Sequence, residues 1–301
     1  MVSGVYPYAD VQIAALEDGT QVVVWTADPG ETARPAANNR TMLYYCYYNG
    51  AAWSTPAPVE AENDGTGDFN PLLKVLDGKA YLLWQDASRP LTAADDVVAT
   101  AALVDISVAV FDPNTGAFAS LGTVGTGGYD GAVSAAMVDG AWSVVWASNS
   151  GENPLAADGP VGALHRAVWD GFAWTVEMLA QDLGAIDQTA ADGSQIWFSA
   201  DTDYDADTVA DREIFLFNGD LLQLTRNDVA DTKPTCLDGK VLWYSGGAIT
   251  AEDGKVIPLA EDTDQYDYVR SKNGLEAVVY AVTDTSRISA PYASFNDGTG
   301  W

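Results

Sequence analysis

The sequence predicts an all-β protein: a six-bladed β-propeller of four-stranded antiparallel blades, its ring closed by the N-terminal strand. Three observations predict it. A tight-turn dipeptide recurs six times, a second turn series is interleaved with the first, and no helical period runs long enough to matter.

The first series is Asp18-Gly19, Asp77-Gly78, Asp139-Gly140, Asp192-Gly193, Asp238-Gly239 and Asn273-Gly274. Asp-Gly and Asn-Gly tolerate the positive φ angles of a type I′ turn, so each pair marks a β-hairpin. An aromatic follows each: Trp25, Trp84, Trp146, Phe198, Tyr244 and Tyr280. The runs into these aromatics, such as Val22-Val23-Val24 and Leu82-Leu83, are apolar on both faces. A half-solvated sheet would alternate, so these strands are expected between neighbouring sheets.

The second series is Asn49-Gly50, Asn114-Thr115-Gly116, Asp170-Gly171, Asn218-Gly219, Asp253-Gly254 and Asp297-Gly298. Each is followed by an apolar residue: Trp53, Phe118, Trp174, Leu221, Val256 and Trp301. Two hairpins per unit make four strands, and six such units describe a propeller. The predicted blades span 9–60, 68–125, 130–182, 185–228, 231–260 and 264–301 in a single domain, residues 1–301.

The repeat shortens along the chain from about 60 residues to about 35. The hairpins keep their length, so the variable part is the link between second and third strands. That link leaves a blade on the same side as the connection to the next blade. The decoration is therefore expected on one end of the ring, the usual ligand side of a repeat array. The last unit stops at Trp301 without a fourth strand. Residues 2–8 can pair there and remove two sheet edges. Truncation of a seventh blade is the competing reading.

Composition excludes several functions. Lys and Arg total 14 against 43 Asp and Glu, a formal charge of -29. Nucleic acid and anionic membranes need a basic surface, whereas cations and partners with basic patches suit this one. No apolar run is long enough to span a membrane. The first residues carry neither a basic nor an apolar region, so no signal peptide is expected; the chain is either cytoplasmic or a piece of a longer secreted protein. Cys46 and Cys236 fall in blades one and five, too far apart to bridge, and are expected as free thiols. His165 is the single histidine. It excludes mechanisms needing two, and its place between Leu164 and Arg166 suits an outer strand.

Residues 212–245 carry Arg212-Glu213-Ile214-Phe215, Leu222-Gln223-Leu224-Thr225, Asp231-Thr232-Lys233-Pro234 and Asp238-Gly239-Lys240. This stretch resembles the TolB-type propeller repeat. The resemblance is partial in blade two, at Asp68-Phe69-Asn70-Pro71 and Asp77-Gly78-Lys79. Ser294-Phe295-Asn296-Asp297-Gly298-Thr299-Gly300-Trp301 is similar to the Asp-box of sialidase-type propellers, with Asn in place of its first Asp. Tyr48–Trp53 and Trp169–Trp174 are degenerate forms, one residue shorter in the turn. The Asp-box resemblance implies structural turns remote from any active site. Related repeats imply a secreted, periplasmic or cell-surface bacterial protein.

Chemistry is sparsely signalled. An arginine triad for a carboxylate substrate is not apparent, since only Arg270 falls on an innermost strand. No G-x-S-x-G elbow is present. Among so many acids, no pair stands out for glycoside hydrolysis. The sharpest motif is Asp201-Thr202-Asp203-Tyr204-Asp205-Ala206-Asp207, with Asp211 beyond. Alternate carboxylates suit calcium, although Ala206 and Arg212 depart from an EF-hand loop. A solvated acidic loop is the other reading. An acid also precedes each innermost strand: Asp10, Asp68, Asp130, Asp182, Asp231 and Asp264. These side chains either cap turns or ring the channel mouth, holding a cation or a partner's basic group.

The expectation is a monomeric, non-catalytic recognition module of a larger bacterial extracytoplasmic protein. It would bind protein or carbohydrate on the loop-bearing end, with calcium as the one candidate cofactor. The alternative is a propeller glycoside hydrolase or other glycan-processing enzyme.

Overall fold

The computed structural model describes residues 10–30, 36, 39–59, 65–156, 159–202, 211–254, 256–258, 263–270, 274–283, 289–296 and 301. These form six antiparallel sheets in chain order. Blade one holds β1 (Gln12–Ala15), β2 (Gln21–Ala27), β3 (Met42–Tyr48) and β4 (Ala57–Pro58). Blade two holds β5 (Asp68–Leu76), β6 (Lys79–Ala87), β7 (Val104–Asp112) and β8 (Ala117–Val124), with a short helix α1 (Val97–Ala101) between β6 and β7. Blade three holds β9 (Tyr129–Val138), β10 (Ala141–Ser150), β11 (Val161–Trp169) and β12 (Trp174–Leu183). Blade four holds β13 (Ile186–Asp192), β14 (Gln195–Ala200), β15 (Glu213–Phe217) and β16 (Leu221–Gln223). Blade five holds β17 (Asp231–Leu237), β18 (Lys240–Ser245), β19 (Ala248–Ala251) and β20 (Val256–Pro258). Blade six holds β21 (Thr263–Arg270), β22 (Glu276–Thr283) and β23 (Ser289–Asn296).

Consecutive first strands pack on one another in the order β1, β5, β9, β13, β17, β21, which gives the propeller. The strand expected to complete blade six, residues 2–8, lies outside the described residues. The acidic loop residues 203–210 lie outside them too. Among the described residues no helix is long and apolar enough to cross a membrane.

The cores lie between blades, which explains the runs apolar on both faces. In β6, Leu82 and Trp84 pack toward Val24 and Leu43 of blade one, beside Phe111 of their own blade. Tyr81 and Leu83 point the other way, to Trp142, Val144 and Trp146 of blade three. Period-two alternation thus serves two cores at once. Similar clusters join blades three and four, four and five, and five and six.

Asp77-Gly78, Asp139-Gly140 and Asp238-Gly239 take positive φ at both residues, as a type I′ turn requires. The Asp18-Gly19 turn is built differently. There only Gly19 is left-handed, and the Asp18 carboxylate accepts from the Thr20 amide at 2.8 Å. That bond lowers the Asp18 pKa. The second series has its own geometry. Asp170 Oδ1 accepts the amides of Phe172 and Ala173, and Asn49 Oδ1 those of Ala51 and Ala52.

The links between second and third strands differ as expected. Residues 88–103 separate β6 from β7, whereas Gly246 and Gly247 alone separate β18 from β19. Cys46 and Cys236 are free, half-buried thiols on β3 and β17, and burial pushes the Cys236 thiol up to about 12. His165 lies on β11, stacked on Trp146 at 5.4 Å, with its Nε2 2.8 Å from Ser148 Oγ. Its burial lowers its pKa.

Candidate functional site

The acids singled out from sequence divide by burial. Asp68, Asp130 and Asp231 are almost fully buried, at 2%, 0% and 0% exposure. Each opens an Asp-x-x-x segment at the start of a first strand. Its third residue, Asn70, Ala132 or Lys233, is left-handed, and the ladder slips register there. The segment is therefore a β-bulge, which turns the aspartate back into its own blade. Asp68 accepts from Trp84 Nε1 at 3.2 Å and from the Leu43 amide at 3.3 Å. Asp130 accepts from Trp146 Nε1 at 2.8 Å, the Thr126 amide at 2.6 Å and Thr126 Oγ1 at 2.7 Å. Asp231 accepts from Asn227 Nδ2 at 2.8 Å, while its Oδ1 has no hydrogen-bond partner among the described residues. Asp10 is exposed and bonds Gln12. Asp182 is exposed near the end of β12, the outermost strand of blade three. Asp264 lies on β21, and its side chain is outside the described set. Of the five whose side chains are described, three are buried and two exposed, so those five do not share one exposed rim.

Of the acidic loop, Asp203, Asp205 and Asp207 lie outside the described residues. Asp201 continues β14 with its amide bonded to Ala185. Asp211 stands near Glu213, whose carboxyl is raised by burial first and then by Asp231 and Asp211. The described residues contain no group of three His, Cys, Asp or Glu side chains placed to hold a metal ion.

A cavity that sequence reasoning missed opens at the end of blade two. It has a volume of about 460 Å³ and is lined by Thr66, Asp86, Ala87, Ser88, Arg89, Pro90, Asp105 and Thr123. It lies on the loop-bearing end, where β6 finishes and β7 begins. Asp68, Asp86 and Asp105 are cross-strand partners in one row, Asp86 in the middle. Side chains directly opposite on antiparallel strands sit about 5 Å apart at Cβ, and like charges there repel. Asp86 is held by Thr66 Oγ1 at 3.0 Å and Ser107 Oγ at 2.8 Å. The half-buried Asp105 carboxylate accepts no hydrogen bond from the other described residues, and burial raises its pKa. Gly125 continues the row. A Cβ there would collide with Asp105 Oδ1 and stand 2.9 Å from Asp130 Oδ2, so the two carboxylates approach across a glycine. Asp130 is raised as well, by burial first, with Asp105 adding to it against the bonds from Thr126 and Trp146.

The cavity wall is braced. Arg89 grips Asp95 through both terminal nitrogens, at 3.0 and 2.8 Å. Asp95 also accepts from the Thr92 amide and hydroxyl, and the Arg89 bond first, then these two, hold its carboxyl well below the usual range. Asp96 caps α1 through the Ala99 amide at 2.8 Å. The Leu91 amide and carbonyl clip to Asn39 of blade one at 2.7 and 2.9 Å. A cavity with walls fixed before binding costs a ligand less ordering.

Among the described residues three arginines are each held by a separate acid. Arg89 is held by Asp95, Arg166 by Glu177 at 2.5 Å, and Arg212 stands 3.6 Å from Asp187. Asp86 and Asp105 were hidden because their pairing spans the loop 88–103, and no turn signal there announces the register.

No protein-family model matches the chain, and no curated protein matches it in sequence. Solved structures resemble it in shape. An α-L-arabinofuranosidase from Fusarium graminearum, solved with an iminosugar inhibitor, superposes with a TM-score of 0.57 at 13% identity, over 98% of this chain and 94% of that one. A sialidase from Streptococcus pneumoniae gives 0.52 at 11% identity, over 97% of this chain and 69% of that one. An acylaminoacyl peptidase from Pyrococcus horikoshii gives 0.50 at 13% identity, over 95% of this chain and 51% of that one. At these identities the likeness is one of fold.

Proposed function

We propose that this chain is a non-catalytic recognition module of a larger bacterial extracytoplasmic protein, engaging its partner through the loop-bearing end. The observation that carries it is the division of the acids. Asp68, Asp130 and Asp231 are buried within the blades, and the accessible polar cavity at blade two is a braced depression. The TolB-like stretch 212–245, across blades four and five, and the Asp-box-like turns at Asn49 and Asp170 support a place among surface propellers of this kind. The second reading is a glycoside hydrolase. It is favoured by the facing pair Asp86 and Asp105, one of them raised by burial as a general acid must be. The arabinofuranosidase and sialidase with the same fold are compatible with it.

Hydrolysis separates the two. Release of nitrophenol from a panel of aryl glycosides, including α-L-arabinofuranosides and sialosides, is expected to equal the buffer rate. Release that disappears in Asp105→Asn would establish the hydrolase instead.

A further inference from the structure

We infer that the blade-two cavity receives a basic side chain, a lysine ammonium or arginine guanidinium, from a partner protein, with Asp105 as its acceptor. The inference deepens the recognition-module reading and rests on it. Size is the first argument. About 460 Å³ far exceeds a bare metal ion and falls within the range of organic ligand sites. Charge is the second. Asp86 and Asp105 face each other across the strand pair, while Arg89 is held by Asp95 at the rim. The balance inside is negative, which favours a cation there.

Hydrogen bonding is the third argument. Asp86 is already served by two hydroxyls, but Asp105 accepts from none of the other described residues. A carboxylate offers about four lone-pair sites, and an ammonium or guanidinium brings three or five N–H groups on the usual count. Thr66 and Thr123 add hydroxyl oxygens to the lining. Among the described residues the lining includes no aromatic ring. A sugar would find nothing to stack its apolar face on, whereas a cation needs no such platform. Finally, a net charge of -29 draws basic partners toward the molecule and raises their encounter rate.

The test uses Nα-acetyl-lysinamide, titrated into the protein and followed by NMR shifts. Its Nε-acetylated form, equal in shape but uncharged, and a methyl glycoside serve as controls. Saturable binding of the charged probe alone is expected. Asp105→Asn should weaken it about tenfold or more, as loss of a close charge partner does. Arg89→Ala should tighten it, because it removes the positive charge at the rim. A merely structural Arg89 would not produce that opposite sign, and an unfolding curve on each variant checks that the fold is kept. Equal binding of the Nε-acetylated probe, indifference to Asp105→Asn, no saturable binding, or the glycoside binding in place of the cation would each overturn the inference. Failure here with aryl glycosides still intact leaves the module reading standing. Hydrolysis lost in Asp105→Asn removes that reading instead.

Discussion

Blades two and three solve one packing problem differently from blade four. In blade two Asp68 lies opposite Asp86, and Trp84, two residues earlier on β6, donates its indole N–H to Asp68. Blade three repeats this with Asp130, Ser148 and Trp146. In blade four the same register position is Ile186, opposite Ala200, and the aromatic two residues before is Phe198. Phe carries no N–H and Ile no acceptor, so the pair is apolar, and Ile186 and Phe198 are exposed by 2% and 0%. In these three blades donor and acceptor appear together or are absent together, as burial of either alone would cost, whereas Trp25 Nε1 in blade one and Asp231 Oδ1 in blade five are buried without a partner among the described residues. Asp68 and Asp130 are thus explained by architecture, in contrast to the cavity-lining Asp105, which accepts from no other described residue.

The largest effect should come from breaking that rule in blade four. Ile186→Asp buries a carboxylate against Phe198 with no donor, at a cost of about 3–5 kcal/mol. Adding Phe198→Trp should recover part of it. Urea midpoints measure both, and a double variant no more stable than the single would show that the two positions are not coupled.

Next is the reverse operation in blade three. Asp130→Ala removes the acceptor for the Trp146 indole and for the Thr126 amide and hydroxyl, and should cost about 2–4 kcal/mol. Asp105→Asn, across Gly125 from it, should leave stability within about 0.5 kcal/mol or raise it slightly, since it removes a like charge. Equal losses in the two variants would mean that Asp105 is as structural as Asp130.

A pH series sharpens the same contrast. The folded pKa of Asp105 is raised above its ordinary 3.8. Its contribution to stability is therefore present below that value and is lost as pH rises through the folded pKa. Wild type and Asp105→Asn should be closest in acid, with the variant gaining relative stability as pH climbs above about 4. A difference that does not change with pH would show that Asp105 titrates as it does in the unfolded chain.

The smallest effect concerns the acidic loop. Calcium at millimolar level is expected to raise the melting temperature beyond sodium at matched ionic strength, since a ligand of the folded state adds stability by mass action. Asp203→Ala with Asp205→Ala should abolish the difference. An equal response to both salts would leave a solvated acidic turn.

Six blades, the hairpins and the side bearing the long loops were legible in the sequence, because turn chemistry and apolar periodicity are local and repeat. The type I′ turns at Asp77, Asp139 and Asp238 follow from two adjacent residues that tolerate positive φ. The roles of the acids were not legible. Whether Asp130 meets solvent or an indole depends on a bulge at Ala132 and on the tryptophan sixteen residues away. Whether Asp105 faces Asp86 depends on register across the loop 88–103, and the cavity also takes Thr66 and Thr123 from either side of the blade. Turn and period are properties of neighbouring residues, so the sequence alone determined the architecture. Burial, register and the meeting of carboxylates arise between strands distant in the chain, so only the tertiary structure decided which acids build the blades and which two line a cavity.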